Sequence, residues 1–599
     1  MDKPMTMYIL LIISSLVAMV TSQDTLPDRS RIVRYPYTED LDMEGRYILR
    51  WNFNETHAWF EVQVNTTGYV GFGISTEGRM RDSDIFVAYV ANDRVYSGDF
   101  YTRTGRYPLT DDVDDWIVDY GYEQGGWTVI GFTRLLDTCD TQDKPITEHT
   151  TRLIYAYGYS DPSSLQALRR HDERGSKGVN LLTRPTRPMF LPADSQTADF
   201  RNENYTIPST ERSTFRCRVF DLTNVLDKYH IIKISPVFTP ETEYHVGHMT
   251  LFRCHVPAED LRFYAGQDFN CFTDAPGHVQ FCREHVASFG NGKTDFYLPE
   301  DIGIPIGGGG NEPNMYVLAM QYTNQDKTPG LVDSSGIRIT YTSELRQHEA
   351  GFMTVGNIIS PNWAQFIPPG ETDFLQKAYC SMKCLAWGME GCVANGTVNP
   401  TVASPFMTVA GVQFLSHELG KTMKLRHLAY DEKHVALENP WLAYDNSYDP
   451  NEQTFRVLPR RQNITCWDEL LLECVYNSQN RMTPTVGGWT ALNELCRAHV
   501  LYYPRKRIEG CMSWSSYQQL QDRVGNRIEA RHVFKTLHDT DWHSPASNSM
   551  RNNLKRALRE SSEIAQCWSS RRERSYAVDG FPQPTIIGPY TEPVTSTCV

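Results

Sequence analysis

A chain of 599 residues is too long for a single hydrophobic core, and about two to four domains are expected. Hydrophobic residues at 40%, aromatic at 12% and charged at 22% are ordinary for a folded soluble protein and exclude a low-complexity chain. A net charge of −14 disfavours nucleic acid or an anionic membrane as partner.

Residues 1–22 carry an early lysine, Lys3, an apolar run from Tyr8 to Val20, and small residues at Val20, Thr21 and Ser22 before Gln23. This is the pattern of a cleaved signal peptide, and the run is short for a membrane span. Downstream no window of about 18 apolar residues occurs. Residues 575–599 are broken by Pro582, Pro584, Pro589 and Pro593, which excludes a lipid-anchor signal or membrane helix there. The expectation is a secreted, extracellular protein without a transmembrane segment. Fourteen cysteines behind such a leader favour structural disulfides. The sequons at Asn54, Asn65, Asn204, Asn395 and Asn463 fit glycosylation on the secretory route.

Residues 46–160 read as short strands with period-two alternation: Tyr47–Phe53, Ala58–Val64, Tyr69–Ile74, Asp82–Val90 and Trp127–Arg134. Asp84 and the run Asp111–Asp115 offer carboxylates to a hard cation, with Asp84 and Asp115 as candidates; a solvated acidic loop is the plainer reading. Residues 161–205, rich in Arg, Pro, Asp and Ser, read as a linker. Residues 206–360 return to strands at His230–Phe238, His245–Cys254 and Tyr316–Tyr322. The glycine-rich turn Gly303–Gly310 has no Lys-Ser/Thr after it and is not a phosphate loop. In residues 361–510, Thr408–Leu415, Lys424–Tyr430 and Thr454–Leu458 are predicted strands. An extension, residues 511–599, is partly helical around Asn553–Ile564. The predicted fold class is all-β.

Three stretches carry a family resemblance. Glu243–Cys254 reads E-Y-H-V-G-H-M-T-L-F-R-C; Val486–Trp489 is followed by Leu495–Pro504, L-C-R-A-H-V-L-Y-Y-P; and the first unit has Gly71-Phe-Gly73, Ser83-Asp-Ile85 and Leu135–Asp140. The chain resembles the copper type II, ascorbate-dependent monooxygenases, the family of dopamine β-hydroxylase and its monooxygenase-like relatives. The resemblance implies a DOMON β-sandwich at 46–160, then two jelly-roll-like β lobes at 206–360 and 361–510.

It also implies six copper ligands. The family places an H-H pair six and seven residues before a cysteine; counted back from Cys254 these positions are Gly247 and His248. The third histidine of that site falls on Gln321, and His245, three residues from His248, is expected on the opposite face of the strand. At the second site the H-x-H pair reads Leu415 and His417, and the methionine before the E-M-C cysteine reads Leu495. The tyrosine the family places near the catalytic centre is Phe215 here. One imidazole per site remains, so copper is not expected to bind stoichiometrically, and ascorbate matters only if the protein is active. His417-Glu418 is no zincin, because position 421 is lysine.

The resemblance carries over the pairings Cys217–Cys271, Cys254–Cys282, Cys380–Cys511, Cys384–Cys567, Cys474–Cys496 and Cys139–Cys598. Cys392 and Cys466 are left and are expected to pair with each other, leaving no interchain bridge. The leading reading is a secreted, ligand-depleted relative with a binding or regulatory role towards a small molecule or an extracellular protein, its interlobe cleft retained and more apolar around Leu415 and Leu495. The rivals are an active copper hydroxylase of an aralkylamine-like substrate, and an adhesion, carbohydrate- or haem-binding protein acting through the DOMON domain. His57 and Met80, the one His and the one Met between Arg46 and Leu135, are the haem ligands the last reading would need.

Overall fold

The computed structural model describes residues 34–599 apart from 43, 104–106, 184–189, 291–294, 309–313, 360–364, 390–391, 395–396, 399–406, 431–434, 507, 517, 520–521, 523–536, 570–575, 592–597 and 599. The leader 1–22 and Asn395 lie outside the described residues. The fold is all-β, built as three successive sandwiches.

The first is a five-stranded sheet, Tyr37–Asp40, Tyr47–Phe53, His57–Val64, Trp127–Leu135 and Ile117–Gln124, packed on a six-stranded one. Alternation explains it: Ala58, Phe60, Val62 and Val64 point inward and meet Phe72, Phe86, Trp116 and Phe132. The outer face keeps His57, Trp59 and Gln63 half-exposed.

The linker expected over 161–205 is instead largely structured. Glu173–Val179 pairs with Thr151–Tyr157 along its whole length, and Leu181 enters the core, its carbonyl accepting the Trp51 indole at 2.9 Å. Gln196–Arg201 already belongs to the second lobe, paired with Gly336–Thr342. Both are edge strands, which need one row of backbone hydrogen bonds and few apolar side chains, so their composition is that of a loop.

The second lobe stacks the sheet Gln196–Arg201, Gly336–Thr342, Tyr229–Val237, Ile302–Ile306 and His348–Glu349 on another. The latter runs Asp268–Phe269, Ser213–Asp221, Met315–Thr323, Val246–Cys254 and Cys282–Gly290. Ile231, Ile234, Met249, Leu251, Leu318 and Ile339 fill the space between. His245 is not on the strand as expected; it closes a short 3-10 turn, and its Nδ1 lies 2.9 Å from the Thr323 carbonyl.

The third lobe starts earlier and ends later than its expected 361–510 span. Gly351–Asn357 lies in its main sheet between Arg497–Tyr503 and Ile508–Ser515. The extension supplies the next two strands, Glu563–Ser569 and Tyr576–Phe581. Before them in sequence comes the helix Asn548–Glu560, whose Leu554 and Ala557, one turn apart, are buried. The extension is therefore part of the lobe. Its partners are remote in sequence, and Cys380–Cys511 and Cys384–Cys567 fasten it.

All seven expected disulfides are present, Cys392–Cys466 included, and no free cysteine remains. No helix among the described residues is long and apolar enough to cross a membrane.

Candidate functional site

The second and third lobes enclose a cavity of about 500 Å³. In the second lobe, antiparallel pairing sets Phe215 opposite Gln321 and Gln321 opposite His248, so the three share one face. The register shifts between Val246 and His248, which makes Gly247 an extra, bulged residue. A Cβ on Gly247 would sit 3.7 Å from Gln321 Cδ and 3.0 Å from Thr323 Oγ1. The bulge thus turns two consecutive positions, 247 and 248, towards residue 321.

The third lobe contributes Leu415, at the end of the strand Met407–Leu415, together with His417, Trp489 and Leu495. Leu415 and Leu495 form an apolar cluster with Ile359, and Trp489 packs against it. All of the expected positions except Gly247 line the one cavity: Phe215, His248, Gln321, Leu415, His417 and Leu495.

The turn bearing His417 is held by a residue that sequence reasoning passed over. Glu494 is buried, and its carboxylate accepts the backbone N–H of His417 at 2.9 Å and of Leu419 at 2.6 Å, and the Ser416 hydroxyl at 2.9 Å. Burial pushes its pKa up to about 7 against these donors. The signal was its place directly before the Leu495-Cys496 pair. The His417 Nδ1 lies 2.9 Å from the Asn493 carbonyl, which can only accept, so the ring proton sits on Nδ1 and Nε2 carries the lone pair.

The Nε2 atom of His248 is buried without a hydrogen-bond partner. Burial, with His417 and Arg497 adding, lowers its pKa to about 3, so the ring is neutral. The seam between the lobes holds a further pair, His285 and His499, stacked with ring centroids 3.7 Å apart. Their outer nitrogens reach Ser288 Oγ at 2.8 Å and Thr354 Oγ1 at 3.0 Å.

This donor set does not fit a copper pair. One position group supplies His248 with a glycine and an amide, the other His417 with two leucines, and leucine has no lone pair. Among the described residues, groups of three His, Cys, Asp or Glu ligand atoms within 4.8 Å of one another occur elsewhere. They are Asp84–Asp99–Asp143, and Asp137–Cys139–Cys598 with its cysteines in a disulfide.

In the first sandwich, the structure joins Asp84 to Asp99 and Asp143 rather than to the carboxylate of Asp115. Asp115 acts through its backbone N–H, 2.9 Å from Asp99 Oδ2. Asp84 takes the Trp116 indole at 2.7 Å, and Arg134 bridges Asp84 and Asp143 at 3.0 and 3.1 Å. The paired strands Ser83–Ala91 and Arg94–Thr102 and the loop bearing Asp143 bring the three acids together, which linear spacing did not reveal. His57 and Met80 lie apart. His57 stacks on Trp59 outside the five-stranded sheet, and Met80 packs with Tyr69, Ile85 and Tyr89 outside the other. The sandwich stands between them, so they form no axial pair.

A β-sandwich leading into two β lobes that share one histidine-bearing cleft is the architecture of the two-lobed copper monooxygenases. Family models match in the same order: the DOMON domain over residues 43–158, the copper type II ascorbate-dependent monooxygenase N-terminal domain over 198–329, and its C-terminal domain over 348–524. The chain belongs to the copper type II ascorbate-dependent monooxygenase family. It is 33% identical over 481 residues to DBH-like monooxygenase protein 1 of Mus musculus, covering 80% of this chain and 75% of that protein. It is 31% identical over 504 residues to dopamine beta-hydroxylase of Rattus norvegicus, covering 82% and 77%. To MOXD1 homolog 2 of Drosophila melanogaster it is 30% identical over 515 residues, covering 81% and 64%.

Proposed function

We propose that this protein is a secreted, non-catalytic member of its family whose interlobe cleft binds a small molecule. The observation that carries the reading is the cleft itself: a cavity of about 500 Å³ persists although Leu415 and Leu495 occupy ligand positions. Leucine for methionine is nearly volume-conserving and costs less than about 1.5 kcal/mol, so the lobes keep their packing without the metal donor. Apolar walls with a few placed polar groups are the usual make-up of a small-molecule site. Seven disulfides support an oxidising compartment. Asn54, Asn65, Asn204 and Asn463 are exposed, as glycan acceptors must be.

The test is ascorbate-driven oxygen consumption by the purified protein with copper added, using dopamine and tyramine as substrates. The reading expects ascorbate oxidation no faster than in free copper controls and no hydroxylated product. Coupled oxygen uptake and hydroxylation would establish an active hydroxylase instead.

A further inference from the structure

The interlobe cavity offers a ligand hydrogen bonds but no ionic partner. Among the described residues no Asp, Glu, Lys or Arg lines it; its polar side chains are Thr250, Gln321, His248 and His417. Arg497 stacks on Trp489, 4.2 Å from the ring centre, but is not itself a lining residue. An ion entering the cavity would give up its water without meeting a counter-charge, which is costly. Both an ammonium group and a carboxylate are disfavoured on that ground.

What the cavity does offer is a fixed acceptor. Nδ1 of His417 is committed to the Asn493 carbonyl at 2.9 Å, which leaves Nε2, with its lone pair, as the nitrogen for a ligand. The ring rides on a turn that Glu494 holds through Ser416, His417 and Leu419. Gln321 adds a second acceptor: its amide nitrogen lies 3.4 Å from Ser213 Oγ, so its carbonyl oxygen remains. A hydroxyl supplies the donor that these acceptors lack, and it does so without charge. Much of the remaining wall is apolar, with Phe215, Leu415, Trp489 and Leu495 in it. Phe272, 59% exposed, meets Phe215 edge-on with centroids 4.9 Å apart and carries this apolar surface out to solvent.

We infer that the cleft binds a neutral alcohol with an apolar or aromatic body, its hydroxyl donating to His417 Nε2 and its body among Phe215, Leu415, Trp489 and Leu495. This inference rests on the reading of the cleft as a ligand cavity. It gives the retained His417 a use that needs no metal, and it names an uncharged ligand where an aralkylamine would otherwise be expected.

The test is titration calorimetry on the full-length protein with four probes of one shape: 3-phenylpropan-1-ol, its methyl ether, 3-phenylpropylamine and 3-phenylpropionate. The alcohol should bind about threefold to tenfold more tightly than the ether, the range for one neutral hydrogen bond. The amine and the acid should bind at least about tenfold more weakly than the alcohol. His417→Phe, which keeps a ring but no acceptor, should bind alcohol and ether equally. Leu415→Trp, which fills the cavity, should abolish binding of both. Thermal unfolding checks that each variant folds. If His417→Phe does not, the nitrogen-15 resonance of His417 Nε2 in the parent protein decides: it should move with the alcohol and not with the ether. An unmoved resonance, an ether bound as tightly as the alcohol, or an alcohol preference that survives His417→Phe overturns the hydroxyl assignment. An amine or acid bound as tightly as the alcohol overturns the neutral class. Each of these leaves the cleft reading standing, whereas absence of binding by all four probes at millimolar concentration overturns both.

Discussion

His285 of the second lobe and His499 of the third stack face to face across the seam, with ring centroids 3.7 Å apart and planes 10° from parallel. Burial first, then His248 and Arg497, holds His285 at about 3, with Glu284 opposing; burial and the His285 and Arg497 charges hold His499 well below the usual range. In the unfolded chain both return to about 6.5 and take up protons. Stability is therefore fully present above about pH 6.5 and is lost as pH falls below it, at about 1.4 kcal/mol per pH unit for each such histidine. Denaturant unfolding of the protein and of His499→Gln at pH 7.5 and 5.5 checks this. The variant should lose less stability on acidification, and an identical loss in both proteins would contradict the assignment.

Glu494 accepts two backbone N–H groups and a hydroxyl at 2.9 Å or less, all from the turn carrying His417. Glu494→Ala strands several buried donors and should cost at least about 3 kcal/mol. Glu494→Gln, which keeps one carbonyl acceptor, should cost less. Urea unfolding of both variants measures the difference, and an alanine variant as stable as the parent would show that the turn is held by other contacts.

The first sandwich docks on the third lobe through Asp445. Its carboxylate meets Arg456 at 2.5 Å, the Thr150 hydroxyl at 2.7 Å and the Thr150 N–H at 3.1 Å. Asp445→Ala leaves the Arg456 guanidinium unpaired and should cost about 3–5 kcal/mol at this contact. Hydrogen exchange of residues 149–152 should accelerate, while Cys139–Cys598 keeps the units tethered. Unchanged exchange there would assign the docking to other residues.

The strands were legible where one face is buried, because Phe60, Val62 and Val64 alternate with half-exposed or polar neighbours. Glu173–Val179 was not, since an edge strand of mostly polar residues has the composition of a linker. That His248, Gln321, Leu415, His417 and Leu495 would meet at one cavity was legible because Cys254, Cys496 and Gly420 fix the spacing of the motifs around them. What remained hidden depends on tertiary proximity: the His285–His499 stack and the joining of Asp84 to Asp99 and Asp143. Spacing along one chain carries no information about which side chains from remote segments meet.

The bulge at Gly247 is intact, so the scaffold is expected to accept its missing ligands. The variant Gly247→His, Gln321→His, Leu415→His and Leu495→Met should raise copper uptake towards about two ions per chain. Thr323 Oγ1, 3.0 Å from the position of the new Cβ at 247, must shift slightly to admit it. Metal analysis of the folded variant checks this, and no gain in copper would mean that the cleft has diverged beyond its side chains.

The measurement that bears most directly on the non-catalytic reading is the copper content of the unmodified protein after dialysis against a weak chelator. A working cycle needs one copper to store an electron and another to bind oxygen, and each group of positions here retains a single imidazole, His248 or His417. Less than about one copper per chain is expected. Two tightly held coppers per chain would contradict the account and restore this protein to the working hydroxylases.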